Sequence, residues 1–579
     1  MNVLGISCYY HDSAACLYQG DRPVAAAHEE RFTRKKHDQD FPTHAIEYCL
    51  QEGGIEKSDL DAVVFYDKPL RKFERILLTY LATFPRGYSS FRRAMPLWVK
   101  DKIFIPKKIQ NSLGYKKSIL FAQHHQSHAA SAFLVSPFER AAIVTVDGVG
   151  EWTTSAIGRG EGNQVSLLKE TRFPHSLGLL YTAFTYFLGF KVNSAEYKVM
   201  GLAPYGEPRF ADKIREHLID LKADGSFRLD MKYFNYHRGL TMTGKKFERM
   251  LGVPRRRAED SLDQVHKDLA ASVQEVTEDA VLAMVRHAHE MTGERALCMA
   301  GGVALNCVAN GRVVREGPFD ELFVQPAAGD AGGSLGAAAF AVHSVLGVPR
   351  DYVMEHAYLG PSYSDDQVRT VLDGYGVPYE ELEKEELVRR TAQAVADQKI
   401  IGWFQGRMEF GPRALGSRSI LADPRNPENQ NRVNLAIKFR ESFRPFAPVI
   451  LEERASEYFE LDRPSPFMLL VSQVRSDRRT IPSVTHVDGS ARIQTVNREH
   501  NGLYYDLIEE FDRQTGCPIL INTSFNVRGE PIVCTPDDAF RCFMRTHMNI
   551  LVMGSFYVEK ENMPPVGKLL GELEEFELD

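Results

Sequence analysis

In AAIVTVDGVGEWTTSAIG, residues 141–158, an apolar run Ala141–Val146 meets an acidic glycine turn at Asp147 and returns as Thr154–Ile157. β-Branched and small apolar residues bounded by Asp and Gly read as a strand, a turn and an antiparallel partner. A glycine-rich corner and a third run, Val165–Leu168, follow. The N-terminus repeats the theme: Val3–Ser7 reads as a buried strand, a polar turn carries His11 and Asp12, and Ala14–Tyr18 returns. The chain thus carries a weak internal duplication, and in both copies acidic or imidazole groups stand just beyond the first strand.

Duplicated strand-turn-strand lobes of this kind hold phosphates in actin-like ATPase folds, so the first half is expected to be an actin-like, duplicated α/β domain. Working outward, Asp263–His289 has apolar residues at helical spacing, and LCMAGG then reads as a strand that meets a glycine turn before the helix of ALNCVANGRV. Gly, Pro and Ser interrupt the pattern at Met354–Ser364, which sets a domain boundary: 1–354 and 355–579. The second domain mixes strands such as Lys399–Phe404 and Pro518–Ile521 with helices, an α/β reading, and ends in the acidic tail GELEEFELD, read as frayed or docked on the surface. Two domains also follow from 579 residues, more than one core usually organises.

With 44% hydrophobic and 25% charged residues the composition is that of a globular protein, and a net charge of −7 offers no global field for a polyanion. Nucleic acid is therefore not an expected partner. Eight cysteines without a CxxC pair, and an N-terminus without a basic leader, fit reduced thiols in a cytoplasm. Ala331–Val348, the most apolar stretch, contains His343 and many Ala and Gly, which suits a close-packed core helix better than a bilayer span, so no membrane is expected. The segment Lys68–Lys117 is rich in basic and aromatic residues, among them Arg71, Lys72, Arg92, Arg93, Trp98, Lys107 and Lys108. It reads either as a lid or acceptor-binding insertion or as a solvated helical face whose aromatics pack inward.

His124 and His128 in HHQSHAASAF are four residues apart, so both imidazoles project from one helix face at metal-ligand spacing. Asp147 and Asp330 end strands at glycine turns, where carboxylates face clefts. Two imidazoles with one or two carboxylates and no thiolate suit iron, manganese or zinc. Three turns, DGVG with Gly148, AGGVALN with Gly301, Gly302 and Asn306, and AGDAGG with Gly329, let backbone amides approach phosphate or ribose, a nucleotide-site pattern. In the second domain GRMEFGPRALGSRS, KFRESFRPFAP and INTSFNVRGEPIV gather Arg413, Arg418, Lys438, Arg440 and Arg444 near Ser524 and Asn526, a cradle for anions.

Taken together the motifs resemble the NodU/CmcH-type O-carbamoyltransferases, the family of nodulation-factor, cephalosporin and aminoglycoside carbamoylation. The resemblance spans nearly the whole chain, through YYHDSAACL, EERFTRKKH, QHHQSHAASAF, VDGVGE, EYKVMGLAPYG, AGGVALN, GDAGGSLGAA, GPRALGSRS, KFRESFRPFAP and NTSFNVRGEPIV. It implies a Kae1-like N-terminal domain with the actin-like (ASKHA) duplication and a YrdC-like C-terminal domain. It further implies that carbamoyl phosphate and ATP form carbamoyl adenylate with release of pyrophosphate, and that a hydroxyl of a small acceptor then takes the carbamoyl group with release of AMP. By the same resemblance His124, His128, Asp147 and Asp330 match the metal ligands, with iron first and manganese or zinc as alternatives. Arg413, Lys438, Arg444 and Ser524 match the carbamoyl phosphate and ATP cradle, and Mg2+ assists the triphosphate. His11 is the expected proton acceptor for the acceptor hydroxyl, with Asp12 orienting it. Lys198 of EYKVMGLAPYG joins Gly148, Gly301, Gly302, Asn306, Gly329, Arg418 and Asn526 as nucleotide-binding expectations.

Two other functions fit parts of the pattern: a fused tRNA threonylcarbamoylation enzyme, and a non-catalytic, actin-like nucleotide-dependent binding protein. The acidic net charge and the GPRALG and NTSFN motifs speak against the first; the second leaves the histidine and aspartate set without a purpose. A homodimer is compatible with the reading, and the acceptor is not legible in it.

Overall fold

The computed structural model describes residues 1–100, 102–440 and 443–565; the acidic tail lies outside the described residues. The chain forms two compact units, the first of 1–29 and 37–354 and the second of 30–36 and 355–579. Residues 30–36 thus belong to the second unit although they lie within the stretch read as the first domain.

The first unit opens with β1 (Asn2–Ser7), β2 (Ala14–Gln19), β3 (Arg22–His28), β4 (Ala62–Phe65) and β5 (Leu120–Phe121), in the sheet order β3-β2-β1-β4-β5. The first three strands are antiparallel, and β4 and β5 join in parallel. β6 (Arg140–Val146), β7 (Thr153–Glu161) and β8 (Gln164–Arg172) start the second sheet; a small hairpin of β9 (Ile219–Leu221) and β10 (Phe227–Leu229) intervenes, and β11 (Ala296–Ala300) and β12 (Glu321–Val324) complete it. Its order is β8-β7-β6-β11-β12, again three antiparallel strands followed by two parallel ones. The second sheet therefore repeats the first strand for strand, and the duplication read in the sequence is a duplicated actin-like fold.

A helix follows the fifth strand of each copy: His124–Phe133 after β5 and Gly332–Ala339 after β12. The two helices pack on one another, and the second also lies against β1 and β2. Close approach explains the glycine-rich sequence of the second helix. A Cβ at Gly336 would stand 1.9 Å from the Ser127 carbonyl oxygen, a distance no side chain tolerates. The expected core helix over Ala331–Val348 is present; it continues as a π-helical turn, Phe340–Val345, and its His343 Nδ1 meets the Val348 carbonyl at 2.9 Å. The expected helix over Asp263–His289 runs from Gln264 to Thr292. All eight cysteines are buried free thiols. No helix among the described residues is long and apolar enough to cross a membrane.

The second unit is built on a nine-stranded mixed sheet. It comprises β13 (Glu380–Glu381), β14 (Ile401–Phe404), β15 (Arg418–Ala422), β16 (Ala447–Leu451), β17 (Leu470–Gln473), β18 (Ser490–Val496), β19 (Ile519–Ser524), β20 (Ile550–Met553) and β21 (Phe556–Glu559). The order is β13-β21-β20-β14-β15-β19-β16-β18-β17, and near-continuous burial of β14, β15, β16 and β20 marks the centre. β15 and β19 run antiparallel with Ser419 opposite Ser524, so the segments GPRALGSRS and NTSFN are neighbours in the sheet.

Candidate functional site

In the first unit the two copies of the sheet deliver matching loops to one place. His11 lies beyond β1 and Asp147 immediately after β6, while His124 and His128 stand on the helix after β5 and Asp330 at the start of the helix after β12. The repeated strand order sets these groups beyond corresponding strands of the two sheets, and the side chains of His124, His128, Asp147 and Asp330 converge. His124 Nε2 is 3.1 Å from Asp147 Oδ2 and 3.1 Å from His128 Nε2. Asp330 Oδ1 lies 3.6 Å from His124 Nε2 and 3.7 Å from His128 Nε2. The four side chains are buried, with one ligand atom from each inside a span of 4.8 Å.

Two observations test whether this cluster fits a metal ion. Asp330 Oδ1, the oxygen nearest both Nε2 atoms, is buried with no hydrogen-bond partner among the described residues, a costly state for a polar atom packed inside a protein. The donor set is two imidazoles and two carboxylates with no thiol, the chemistry of an iron, manganese or zinc centre. Burial would raise the Asp147 carboxyl, but the hydrogen bond from His124 and the charges of His128 and His124 hold it well below the usual carboxylate range. His124 is raised despite its burial, first by the Asp330 charge and then by Asp147. His125, buried beside both imidazoles and hydrogen-bonded through Nδ1 to Thr145 Oγ1 at 2.8 Å, is pushed down to about 3. The residues fit a divalent cation.

Around this cluster the glycine turns close in. Gly302 N donates to Asp147 Oδ1 at 3.0 Å, and Gly301 N donates to the Ala328 carbonyl at 2.8 Å. Gly301 sits at φ +93°, and a Cβ there would meet the Val146 carbonyl oxygen at 2.3 Å, so only glycine serves. Gly148 and Gly329 face open space. Asn306 Oδ1 caps the Cys307–Glu316 helix at Ala309 N, 3.1 Å, and its amide pairs reciprocally with that of Gln274 at 3.0 Å. It shapes the turn, with one N–H of its amide engaged by Gln274. Lys198 is buried on the Glu196–Leu202 helix, its Nζ 5.8 Å from the centre of the Phe190 ring.

His11 Nδ1 is 3.0 Å from Asp12 Oδ2, and His11 Nε2 is 3.9 Å from Asp330 Oδ2. Burial works against its charge, yet Asp330 and Asp12 push it up to about 10. A cation at the cluster would neutralise the same carboxylate charge. Asp12 stands at φ +53°, and its other oxygen accepts from His37 Nδ1 at 2.7 Å. Three residues here escaped the sequence reading: His37, Tyr66, whose hydroxyl is 3.5 Å from Asp330 Oδ2, and Glu151, which accepts from His124 N at 3.1 Å and Lys68 N at 2.8 Å. His37 ends EERFTRKKH and Glu151 ends VDGVGE, so both stood within noted motifs; Tyr66 carried no local signal.

In the second unit Lys438 is the centre of the arrangement. Its Nζ donates to Asn526 Oδ1 at 2.6 Å, Asn526 O at 3.0 Å, Ser524 Oγ at 3.2 Å and the Ser524 carbonyl. Burial, with Arg440 and Arg444 nearby, holds this ammonium well below the usual lysine range. Asn526 Oδ1 also accepts from Ser524 Oγ at 2.7 Å, and Arg444 is tied in through its carbonyl to Asn434 Nδ2 at 2.9 Å. Arg413 is half-buried in the turn before β15, which Asn522 Nδ2 holds through the Ala414 carbonyl at 3.1 Å.

Arg418 was expected among the nucleotide-binding residues. Its guanidinium is fully buried, donates to the carbonyls of Gln405, Gly406, Ser417 and Pro361, and stacks 3.7 Å above the Phe404 ring. Its Nη atoms brace the strand end, while its buried Nε has no hydrogen-bond partner among the described residues. Arg31 and Arg34, unassigned from the sequence, brace the cradle's turns. Arg31 donates to the Gly411 carbonyl at 2.9 Å, and Arg34 donates to the carbonyls of Ile532 and Pro531 at 2.7 and 2.8 Å.

The chain thus joins a duplicated actin-like unit, with a buried two-histidine, two-aspartate cluster of metal-ligand type, to an α/β unit with a buried lysine. Residues 2–339 match the carbamoyltransferase N-terminus model and residues 392–560 the carbamoyltransferase C-terminus model. The chain belongs to the carbamoyltransferase family and is a carbamoyltransferase. It is 53% identical to an uncharacterized protein of Synechocystis sp., with 100% of both chains covered. It is 40% identical to nodulation protein NolNO of Sinorhizobium fredii, over 96% of this chain and 80% of that one. Component A of (R)-2-hydroxyglutaryl-CoA dehydratase from Acidaminococcus fermentans overlaps 60% of this chain and 99% of its own at 12% identity and a TM-score of 0.34. That likeness is distant, and the fold assignment rests on the repeated strand order.

Proposed function

We propose that the enzyme carbamoylates a hydroxyl of a small molecule in two stages, using ATP and carbamoyl phosphate. In the second unit carbamoyl phosphate is hydrolysed to carbamate and phosphate. A carbamate oxygen then attacks the α-phosphorus of ATP, giving carbamoyl adenylate and pyrophosphate. Lys438, Arg413 and Arg444 offset the repulsion between the two polyanions, and Ser524 and Asn526 hold Lys438 in place. Mg2+ accompanies the triphosphate.

In the first unit the acceptor oxygen attacks the carbamoyl carbon and AMP leaves. His11 binds the attacking hydroxyl and takes its proton, and Asp12 fixes the imidazole through Nδ1. The amides of the Gly148, Gly301 and Gly329 turns receive the nucleotide phosphate. His124, His128, Asp147 and Asp330 would hold a transition-metal ion, iron, manganese or zinc; bound there, it supplies Lewis acidity and positive charge beside the substrate oxygens. The observation that carries the reading is the buried four-residue cluster, with Asp330 Oδ1 left without a hydrogen-bond partner among the described residues, at the meeting point of the glycine turns.

The decisive measurement is pyrophosphate release from ATP by the purified protein with no acceptor, with and without carbamoyl phosphate. Release that requires carbamoyl phosphate is expected. Release indifferent to it, or none, overturns the adenylate route. His128→Ala is expected to spare that release, block transfer and lower the metal content measured by elemental analysis, whereas Lys438→Ala abolishes release and keeps the metal.

A further inference from the structure

Residues 68–117, between β4 and β5, hold thirteen Lys and Arg against two acidic residues, a local charge of +11 in a chain whose total is −7. The segment folds as three helices, Pro69–Thr83, Tyr88–Lys100 and Ile105–Leu113. Only part of its basic and aromatic content is used inside the protein. Arg75 donates to the Gly150 carbonyl, Lys72 pairs with Asp67, and Trp98 packs on Phe73. Arg71, Arg86, Arg92, Arg93 and Lys107 are exposed and have no ion-pair partner among the described residues.

Beside them stand apolar side chains that a water-facing surface does not ordinarily present. Leu78 is 45% exposed, Leu81 64%, Phe84 72% and Tyr88 58%, all near the turn joining the first two helices, and Leu70 and Phe104 are exposed elsewhere in the segment. Six of the sixteen large hydrophobic side chains exposed among the described residues fall within these fifty positions, so the patch is not a random scatter.

We propose that this helical hairpin docks the enzyme on an anionic lipid surface. Cations around exposed Leu, Phe and Tyr are the two elements of interfacial binding: apolar side chains enter the headgroup boundary while lysine and arginine meet lipid phosphates and carboxylates. A polyanion such as nucleic acid would use the cations and leave the apolar tip in water. A second copy of the chain fits poorly, because a twofold contact sets the same +11 surface against itself. The segment also touches the metal-type cluster's surroundings, through Arg75 to Gly150 and through the Lys68 amide to Glu151, which holds the His124 helix. Docking there brings the first unit's centre to substrates held at a membrane.

The test is flotation of the full-length protein with vesicles of phosphatidylcholine alone or with about one third phosphatidylglycerol, and it needs no turnover. Binding to the anionic vesicles only, weakened by salt, is expected. Both Arg86→Glu/Arg92→Glu/Arg93→Glu and Leu81→Ser/Phe84→Ser should lower it at least about tenfold, with carbamoyl phosphate-dependent pyrophosphate release unchanged. No binding to anionic vesicles at low salt overturns the proposal. So does binding that the apolar variant leaves intact, the mark of a plain polyanion site, and so does loss of a dimer on Leu81→Ser/Phe84→Ser without change in vesicle binding.

Discussion

At the scale of single residues, the chemistry is set by groups that are buried without a full complement of partners. Lys438 has four oxygen acceptors and, among the described residues, no carboxylate within salt-bridge reach, so the groups described around its ammonium are dipoles. Its depressed pKa means that, between the lowered folded value and the ordinary lysine value, the unfolded chain binds a proton the folded chain does not. In that window stability falls as pH falls, and a bound anion reverses the effect by restoring the charge. ATP binding should therefore take up as much as about one proton at a pH just above the lowered value, read by calorimetry in buffers of different ionisation enthalpy. Lys438→Met should abolish the uptake. Arg418 gives the opposite expectation. With its Nη donors on carbonyls and its plane on Phe404, Arg418→Lys should lower stability by about 2–4 kcal/mol in thermal unfolding while leaving the KM for ATP of the folded enzyme unchanged.

Among the elements, the Gly332–Ala339 helix decides how closely the two copies of the sheet approach each other. Gly336 faces the Ser127 carbonyl of the His124–Phe133 helix, and that contact fixes Asp330 at one end against His128 at the other. Gly336→Ala should cost about 1–3 kcal/mol of stability and loosen the metal, as the helices part to admit a methyl group. Gly329→Ala, whose Cβ meets nothing within 4 Å, should stay within about 0.5 kcal/mol in the same unfolding experiment. The segment Glu30–Lys36 acts on the second unit in a comparable way. Arg34 holds the Glu530–Ile532 turn by two carbonyls and an ion pair to Glu530 at 3.2 Å. Arg34→Ala should leave those acceptors buried and unmet, at about 2–3 kcal/mol, and reduce pyrophosphate release without altering metal content.

For the whole molecule, two units with different chemistry on one chain imply that the partial reactions can be lost separately. Mixing His128→Ala with Lys438→Ala enzyme should restore little acceptor carbamoylation if the adenylate, which decomposes in water, is used by the chain that makes it; full restoration would show free exchange. By itself the sequence determined the duplicated α/β fold of the first unit, because strand, glycine turn and strand are local events written by apolar runs and by Asp and Gly. The spacing of His124 and His128 was equally local, since four residues on a helix fix one face. Tertiary structure alone decided which long-range partners each group meets. Asn306 and Arg418 carry the residue types of a ligand site, and packing sets Asn306 against Gln274 and a helix end and the Arg418 Nη atoms against backbone carbonyls. Tyr66 reaches Asp330, and residues 30–36 join the second unit, through contacts separated by hundreds of positions in the chain. A sequence states what a side chain is able to bind; burial and the choice of neighbour, which depend on the folded chain, decide what it does bind.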